Sequence, residues 1–253
     1  MSDLDQRIAE LVAVARSVVT YHGDPEKRAA MDALYGRFVR PGGLAFDIGS
    51  HVGDRVASFR RLGARVVALE PQPGPAGVIA RLFEGDAGVT LRQAACGASV
   101  GEITLKVNTA NPTVTTASAA FVASAAGAGG WEGQVWDREI TVSCLTLDGL
   151  IGDHGVPDFV KIDVEGFEAD VLAGLSRPIP ALSFEFTTIQ RDVAFACLDR
   201  LAALGPYRFD VALGESQQMT FGSAVDRQAM AAHIADLPHE ANSGDVYAVL
   251  VKG

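Results

Sequence analysis

Leu44-Ala45-Phe46-Asp47-Ile48-Gly49-Ser50-His51-Val52-Gly53 is the stretch that decides the fold class. Its apolar first half reads as a short buried strand, and its glycines break that strand into a turn. Residues 54–62 then read as a helix closed by Gly63. Working outward, Arg65–Leu69 is a second apolar strand, 77–83 a second helix closed near Gly85, and 89–94 a third strand. Strand, helix, strand, helix, strand predicts a parallel sheet with right-handed crossovers.

Upstream, Leu4, Ile8, Leu11, Val12 and Val19 recur at helical spacing, and a second helix is expected over 26–39 after the turn Gly23-Asp24-Pro25. Downstream, strands are expected over 102–107, 139–144, 158–163, 181–186, 207–212 and 245–251. Helices are expected over 147–151, 168–175, 193–204 and 224–235. Between them lies a segment rich in Ala, Thr, Ser and Gly, with Phe121, Trp131 and Trp136. A structureless loop of this length in a compact domain points to a mobile element near a site. The aromatic rings could stack on a ligand or anchor the loop on the core. The expected organisation is therefore an N-terminal helical extension over 1–40 and one α/β domain over 41–253, with a mobile insertion near 108–137.

The chain has 253 residues and a formal net charge of −10, which disfavours nonspecific nucleic-acid binding. No apolar run is long enough to span a membrane, and no secretory signal is visible at the start. Cys96, Cys144 and Cys197 lie far apart with no zinc spacing, as expected of a chain in the reducing cytoplasm. The N-terminal helices could cover a site or form the face of a homodimer.

In a doubly wound sheet, the loop after the first strand borders the ligand crevice. Glu70 ends the second strand, where an acid can accept from both hydroxyls of a ribose. The loop reads D-x-G-x-x-x-G rather than the dinucleotide pattern G-x-G-x-x-G. A carboxylate at Asp47 would repel a pyrophosphate but attract an amino group or a sulfonium. That charge logic favours S-adenosylmethionine over a nicotinamide dinucleotide, although Asp47 could instead cap the following helix.

The second informative stretch is Lys161-Ile162-Asp163-Val164-Glu165-Gly166-Phe167-Glu168. Alternation in a strand would project Lys161, Asp163 and Glu165 together. Asp163 is the first candidate for orienting or deprotonating an acceptor hydroxyl, with Glu165, His51 and Glu185 behind it. Asp163, Glu165 and Glu185 could alternatively hold a divalent cation, but proton transfer without a metal is the preferred reading. Among the other histidines, His154 precedes the acidic strand and could reach the site.

In order along the chain, FDIGSHVG (46–53), ALEP (68–71), TLD (146–148), FVKIDVEG (159–166) and VLAG (171–174) resemble the FkbM family of S-adenosylmethionine-dependent methyltransferases. The resemblance spans about 44–186. It implies a class I methyltransferase, Rossmann-like fold: a mostly parallel seven-stranded sheet with helices on both faces and an antiparallel last strand. It also implies methyl transfer to a small acceptor, commonly a hydroxyl of a sugar or secondary metabolite, with S-adenosylhomocysteine as product. An amine acceptor and a non-catalytic ligand-binding role are the alternatives. By position, Asp47, Gly49, Ser50, His51 and Gly53 resemble the loop beside the amino-acid part of the cofactor. Glu70 and Pro71 resemble the ribose contact, Gln93 and Ala94 the adenine contact, and Asp163 lies on the acceptor side. The family often has Asn where this chain has His51.

Overall fold

The computed structural model describes residues 3–251. Two helices, α1 (Asp3–His22) and α2 (Pro25–Tyr35), precede the sheet. There follow β1 (Leu44–Ile48), α3 (Asp54–Arg61), β2 (Arg65–Leu69), α4 (Pro73–Leu82) and β3 (Val89–Arg92). The middle of the chain holds β4 (Ala95–Cys96), β5 (Gly101–Val107), α5 (Ala119–Ala125), β6 (Arg138–Leu145) and α6 (Leu147–His154). The last part holds β7 (Phe159–Ile162), α7 (Glu168–Ala173), β8 (Ala181–Thr187), α8 (Arg191–Leu204), β9 (Tyr207–Leu213), α9 (Arg227–Asp236) and β10 (Ser243–Leu250).

The main sheet has seven strands in the order β3-β2-β1-β7-β8-β10-β9. It is parallel except for β10, which runs antiparallel to both β8 and β9. Strand alternation sends Phe46, Ile48, Val160 and Ile162 into a core covered by α6, α7, α8 and α9. Ala45 and Phe159 face the opposite core, where α2 and α3 supply Leu34, Tyr35, Val56 and Phe59. A second, three-stranded sheet, β4-β6-β5, begins directly after β3 in the chain.

The stretch 108–137 carries more structure than its composition indicates. It contains a 3-10 turn (Pro112–Val114) and α5, capped by Ser118 through its bond to the Phe121 N–H. Phe121 is fully buried, edge-on to Trp131 at 5.2 Å and to Trp136 at 6.2 Å. These rings anchor the segment on a small core of their own with Val114 and Ala125.

Helix α1 forms as its spacing predicts but docks by another face. Ala13 and Ser17 are buried, whereas Leu4, Ile8, Leu11, Val12 and Val19 are all at least half exposed. Small side chains let the backbone of α1 approach α4 and the 112–114 turn, and the larger residues stay outside.

Candidate active site

Register places the site. Ile48 pairs with Leu69 on one side and with Ile162 on the other, and Ile162 pairs with Phe184. The next residue on each strand is therefore Gly49, Glu70, Asp163 or Glu185, and all four line one cleft at the carboxyl ends of the strands. Gly49 has φ +83°, and a β-carbon there would lie 1.8 Å from the Asp163 carbonyl oxygen. The glycine is required by the neighbouring strand end, not only by a ligand. Gly53 likewise faces Ile79 and Phe83 of the α4 region rather than the cleft.

Glu70 is 2% exposed, and both its oxygens are oriented by main-chain donors. The His51 N–H donates to Oε2 at 2.8 Å and the Gln72 N–H to Oε1 at 2.8 Å. Burial pushes its carboxyl up to about 8, against the pull of those two donors. His51 adopts φ 46°, which turns its N–H toward Glu70. Its ring packs edge-on to Tyr21 of α1, with Nε2 3.4 Å from the Thr113 hydroxyl. Burial holds that imidazole down to about 4, so it is neutral at ordinary pH. His22 also reaches the main-chain oxygen of Val52, at 2.9 Å, so the end of α1 covers part of the loop.

On the far side lies a charged network that the sequence only partly foretold. Lys161 is fully buried, 2.5 Å from Asp245 and 3.2 Å from Asp163. Arg55 reaches Asp54 at 2.9 Å, Glu215 at 3.3 Å and Asp163 at 3.9 Å. Burial alone would raise Asp163, but the Lys161 ammonium and Arg55 guanidinium pull it down to about 2. Glu165 and Glu185 go the other way: burial, and then the nearby Asp163 carboxylate, push both well above the usual carboxylate range. Asp163 is thus held ionised, and its two neighbours have the higher proton affinity.

Lys161 and Asp163 share a face as alternation predicts, but β7 ends at Ile162, so Glu165 reaches the site another way. It sits in a turn with φ 56°, pinned by the Thr116 hydroxyl on its carbonyl at 2.7 Å. Glu168 accepts from the Val164 and Gly166 N–H groups and closes that turn.

Of the residues expected here, Gly49, Ser50, His51, Glu70, Pro71, Ala94, Asp163 and Glu165 line the cleft. Three do not. Asp47 is 1% exposed and lies one layer below, on the sheet face that carries Lys161. Neither of its oxygens has a hydrogen-bond partner among the described residues, and burial raises its carboxyl to about 7. Gly53 is turned toward α4. Gln93 is exposed, because β3 ends at Arg92 and the cleft wall continues through Ala94, Ala95 and Cys96. His154 is also absent from the cleft: it ends α6, before β7 begins, and packs edge-on to Phe46. Tyr21, Arg55, Thr113 and Glu215 line it without having been anticipated. Each comes from a segment with no local signature of its own.

The sequence matches the methyltransferase FkbM domain over residues 47–205, more than half of the chain. The chain belongs to the FkbM methyltransferase family. No curated protein matches it in sequence. Solved structures with a similar arrangement include an O-methyltransferase from Bacillus cereus in complex with S-adenosylhomocysteine, at 11% identity and TM-score 0.48, covering 99% of this chain and 92% of that one. A precorrin-6Y C5,15-methyltransferase from Geobacter metallireducens has 15% identity and TM-score 0.45, covering 88% and 87%. An rRNA methylase from Streptococcus thermophilus has 9% identity and TM-score 0.44, covering 87% and 94%.

As an FkbM methyltransferase, the chain has the class I, Rossmann-like sheet described above, and S-adenosylmethionine is the cofactor the family implies. The cleft fits that group. Each Glu70 oxygen spends one acceptor position on a main-chain N–H and keeps another for a ribose hydroxyl. Leu69, Ala94, Ala95, Cys96 and Leu105 give an apolar wall suited to a purine. The carboxylates beyond suit a sulfonium. No helix among the described residues is long and apolar enough to cross a membrane.

Proposed function

We propose that the chain transfers a methyl group from S-adenosylmethionine to a hydroxyl of a small acceptor, a sugar or secondary metabolite. The observation that carries this reading is the meeting, in one cleft, of the Glu70 ribose acid with the carboxylates of Asp163, Glu165 and Glu185. An alcohol needs a proton acceptor as it attacks, which is worth roughly 10²–10⁴ in rate. A carboxylate of high proton affinity beside one fixed as an anion supplies both an acceptor for the proton and an anchor for the hydroxyl.

When bound, the cofactor would supply a methyl carbon on a sulfonium leaving group, with S-adenosylhomocysteine as the product. Glu70 fixes the ribose, and the apolar wall from Ala94 to Cys96 takes the adenine. Lys161 and Arg55 hold Asp163 ionised and in place, so that it orients the acceptor oxygen. The hydroxyl proton passes to Glu165 in its ionised form, with Glu185 beside it. Tyr21, Thr113 and the His51 ring close the cleft over the reacting groups and exclude water. Alignment of this kind can contribute roughly 7–11 kcal/mol.

The carboxylate-rich wall also supports a second reading, an amine acceptor drawn in as a cation. Mass-spectrometric screening of alcohols and amines for the gain of one methyl group separates the two. Asp163→Asn is expected to keep S-adenosylhomocysteine affinity and to lower turnover by about tenfold or more. Unchanged turnover would remove Asp163 from the reaction. Failure of ligand-free protein to bind S-adenosylmethionine or S-adenosylhomocysteine would overturn the whole reading.

A further inference from the structure

Asp163, Glu165 and Glu185 come from the end of β7, the following turn and β8, and they converge. One carboxylate oxygen from each lies within 4.8 Å of the others. Three carboxyl groups brought this close can all ionise only with a positive counterpart, and the protein supplies one to Asp163 alone. Lys161 is shared between Asp163 and Asp245, and Arg55 between Asp54, Glu215 and Asp163. Among the described residues, no Lys or Arg forms an ion pair with Glu165 or Glu185. Glu165 is only 7% exposed, yet no N–H or O–H group among the described residues donates to its carboxylate. The Thr116 hydroxyl beside it is spent on the Glu165 main-chain oxygen. A buried carboxyl group without a donor, directed at two others, is costly to ionise unless something cationic completes it.

We propose that this triad binds a hard divalent cation of the Mg²⁺, Mn²⁺ or Ca²⁺ class. The chemistry fits: such ions take oxygen ligands, and carboxylates above all. Ligand oxygens on opposite sides of Ca²⁺ stand about 4.6–5.2 Å apart, and on opposite sides of Mg²⁺ about 4.0–4.2 Å. With no pair more than 4.8 Å apart, the three oxygens can close on either ion by small side-chain movements. Three protein oxygens leave about half of a six-fold shell open toward the cleft for water or an acceptor oxygen. The role rests on the methyl-transfer reading above. A hydroxyl bound to the cation becomes more acidic, and its proton leaves to the Glu165 oxygen that does not ligate the metal. The cation also reduces three negative charges to one, and that remaining charge still favours a sulfonium nearby. Acceptors with two adjacent oxygens would gain most from such a site.

The test is uptake of Mn²⁺ alone by the full chain, stripped with a chelator and held at mildly alkaline pH, read by electron paramagnetic resonance. S-adenosylhomocysteine is titrated separately into the same preparation. A single Mn²⁺ per chain is expected, weakened roughly tenfold or more by Glu165→Gln or Glu185→Gln. Glu84→Gln, an exposed carboxylate just beyond α4 and outside the cleft, is expected to leave Mn²⁺ affinity unchanged. Retained S-adenosylhomocysteine binding reports that each variant is folded. Stripped protein that binds S-adenosylhomocysteine but takes up no Mn²⁺ overturns the proposal, as does uptake indifferent to both triad substitutions. Binding of a short aliphatic diamine in place of Mn²⁺ would also overturn it and assign the triad to a cationic acceptor. Protein that takes up Mn²⁺ through the triad but binds no S-adenosylhomocysteine would keep the metal site and refute the methyl-transfer reading instead.

Discussion

Replacing Glu70 by Gln changes one oxygen to an amide nitrogen and keeps the side chain's shape. At most positions such a change is mild. Here both oxygens already accept main-chain hydrogen bonds, from His51 and from Gln72, each at 2.8 Å. Whichever way the amide is turned, its NH₂ faces one of those N–H groups, and a donor is left unsatisfied at a site 2% exposed. An unsatisfied buried donor costs about 1–3 kcal/mol, which lowers the melting temperature by roughly 2–4 °C per kcal/mol for a chain of this size. The ligand loses more. A ribose hydroxyl that donated to a carboxylate now meets an NH₂, and hydrogen bonds to charged groups contribute about 1.5–3 kcal/mol each. The expected loss is about 10- to 150-fold in S-adenosylhomocysteine affinity. Calorimetric titration measures the affinity, and a thermal melt of ligand-free protein measures the structural part. Affinity within about threefold of wild type would refute the assignment of Glu70 to the ribose. A lower melting temperature with unchanged affinity would leave Glu70 as a loop brace only.

Glu70 and Asp47 are raised by burial to about 8 and about 7, and because Glu70 lines the cleft, S-adenosylhomocysteine affinity should rise with pH. A ligand that prefers the carboxylate displaces a proton, so affinity should climb by at most about tenfold per pH unit and level off above about 8. The same shifts make ligand-free protein lose stability as pH rises from about 4 toward 8, because the folded chain holds protons the unfolded chain releases; a flat profile in both assays would contradict these environments. Lys161→Met strands Asp163 and Asp245 without their shared cation and should cost about 3–5 kcal/mol in urea unfolding. A loss below about 1 kcal/mol would mean that water, not Lys161, balances those charges. His51→Asn should retain S-adenosylhomocysteine affinity, because the contact to Glu70 is made by the main chain and Asn tolerates φ near 46°. His51→Val should weaken it, since a β-branched residue resists that conformation; equal behaviour of the two variants would show that the loop geometry is not what orients Glu70.

Much of the frame was legible because it rests on local rules. Apolar runs of strand length alternating with helical segments gave the first five elements from β1 to β3. The same periodicity located β7, β8, β9 and β10 to within a few residues. The residues just beyond strand ends, Gly49, Glu70 and Asp163, were readable for the same reason: parallel register puts them in one row. The 108–137 segment was harder. Its composition resembles a loop, and its order comes from Phe121 meeting Trp131 and Trp136, a contact between residues ten or more apart.

The sequence by itself determined the α/β class, the glycine turn after β1, the placement of Glu70 at the end of β2 and the acidic end of β7. Each is set by side-chain period or by residues adjacent in the chain. Only the tertiary structure decided which carboxylates act together and in which charge state. Glu185 joins Asp163 because β8 lies beside β7, and Glu165 joins them through a turn rather than through the strand. Asp163 is held as an anion because Lys161 is trapped between it and Asp245, a residue of β10 that is 84 positions away. Asp47 leaves the cleft because it sits two residues before Gly49 on β1, on the same face but in the buried layer beneath it, beside Lys161. The docking side of α1 was likewise beyond local reading: its apolar period marks a helix, but fit against α4 is what left Leu11 and Val19 outside and brought Tyr21 to the cleft. Burial and charge balance are sums over distant neighbours, and a linear pattern does not contain those distances.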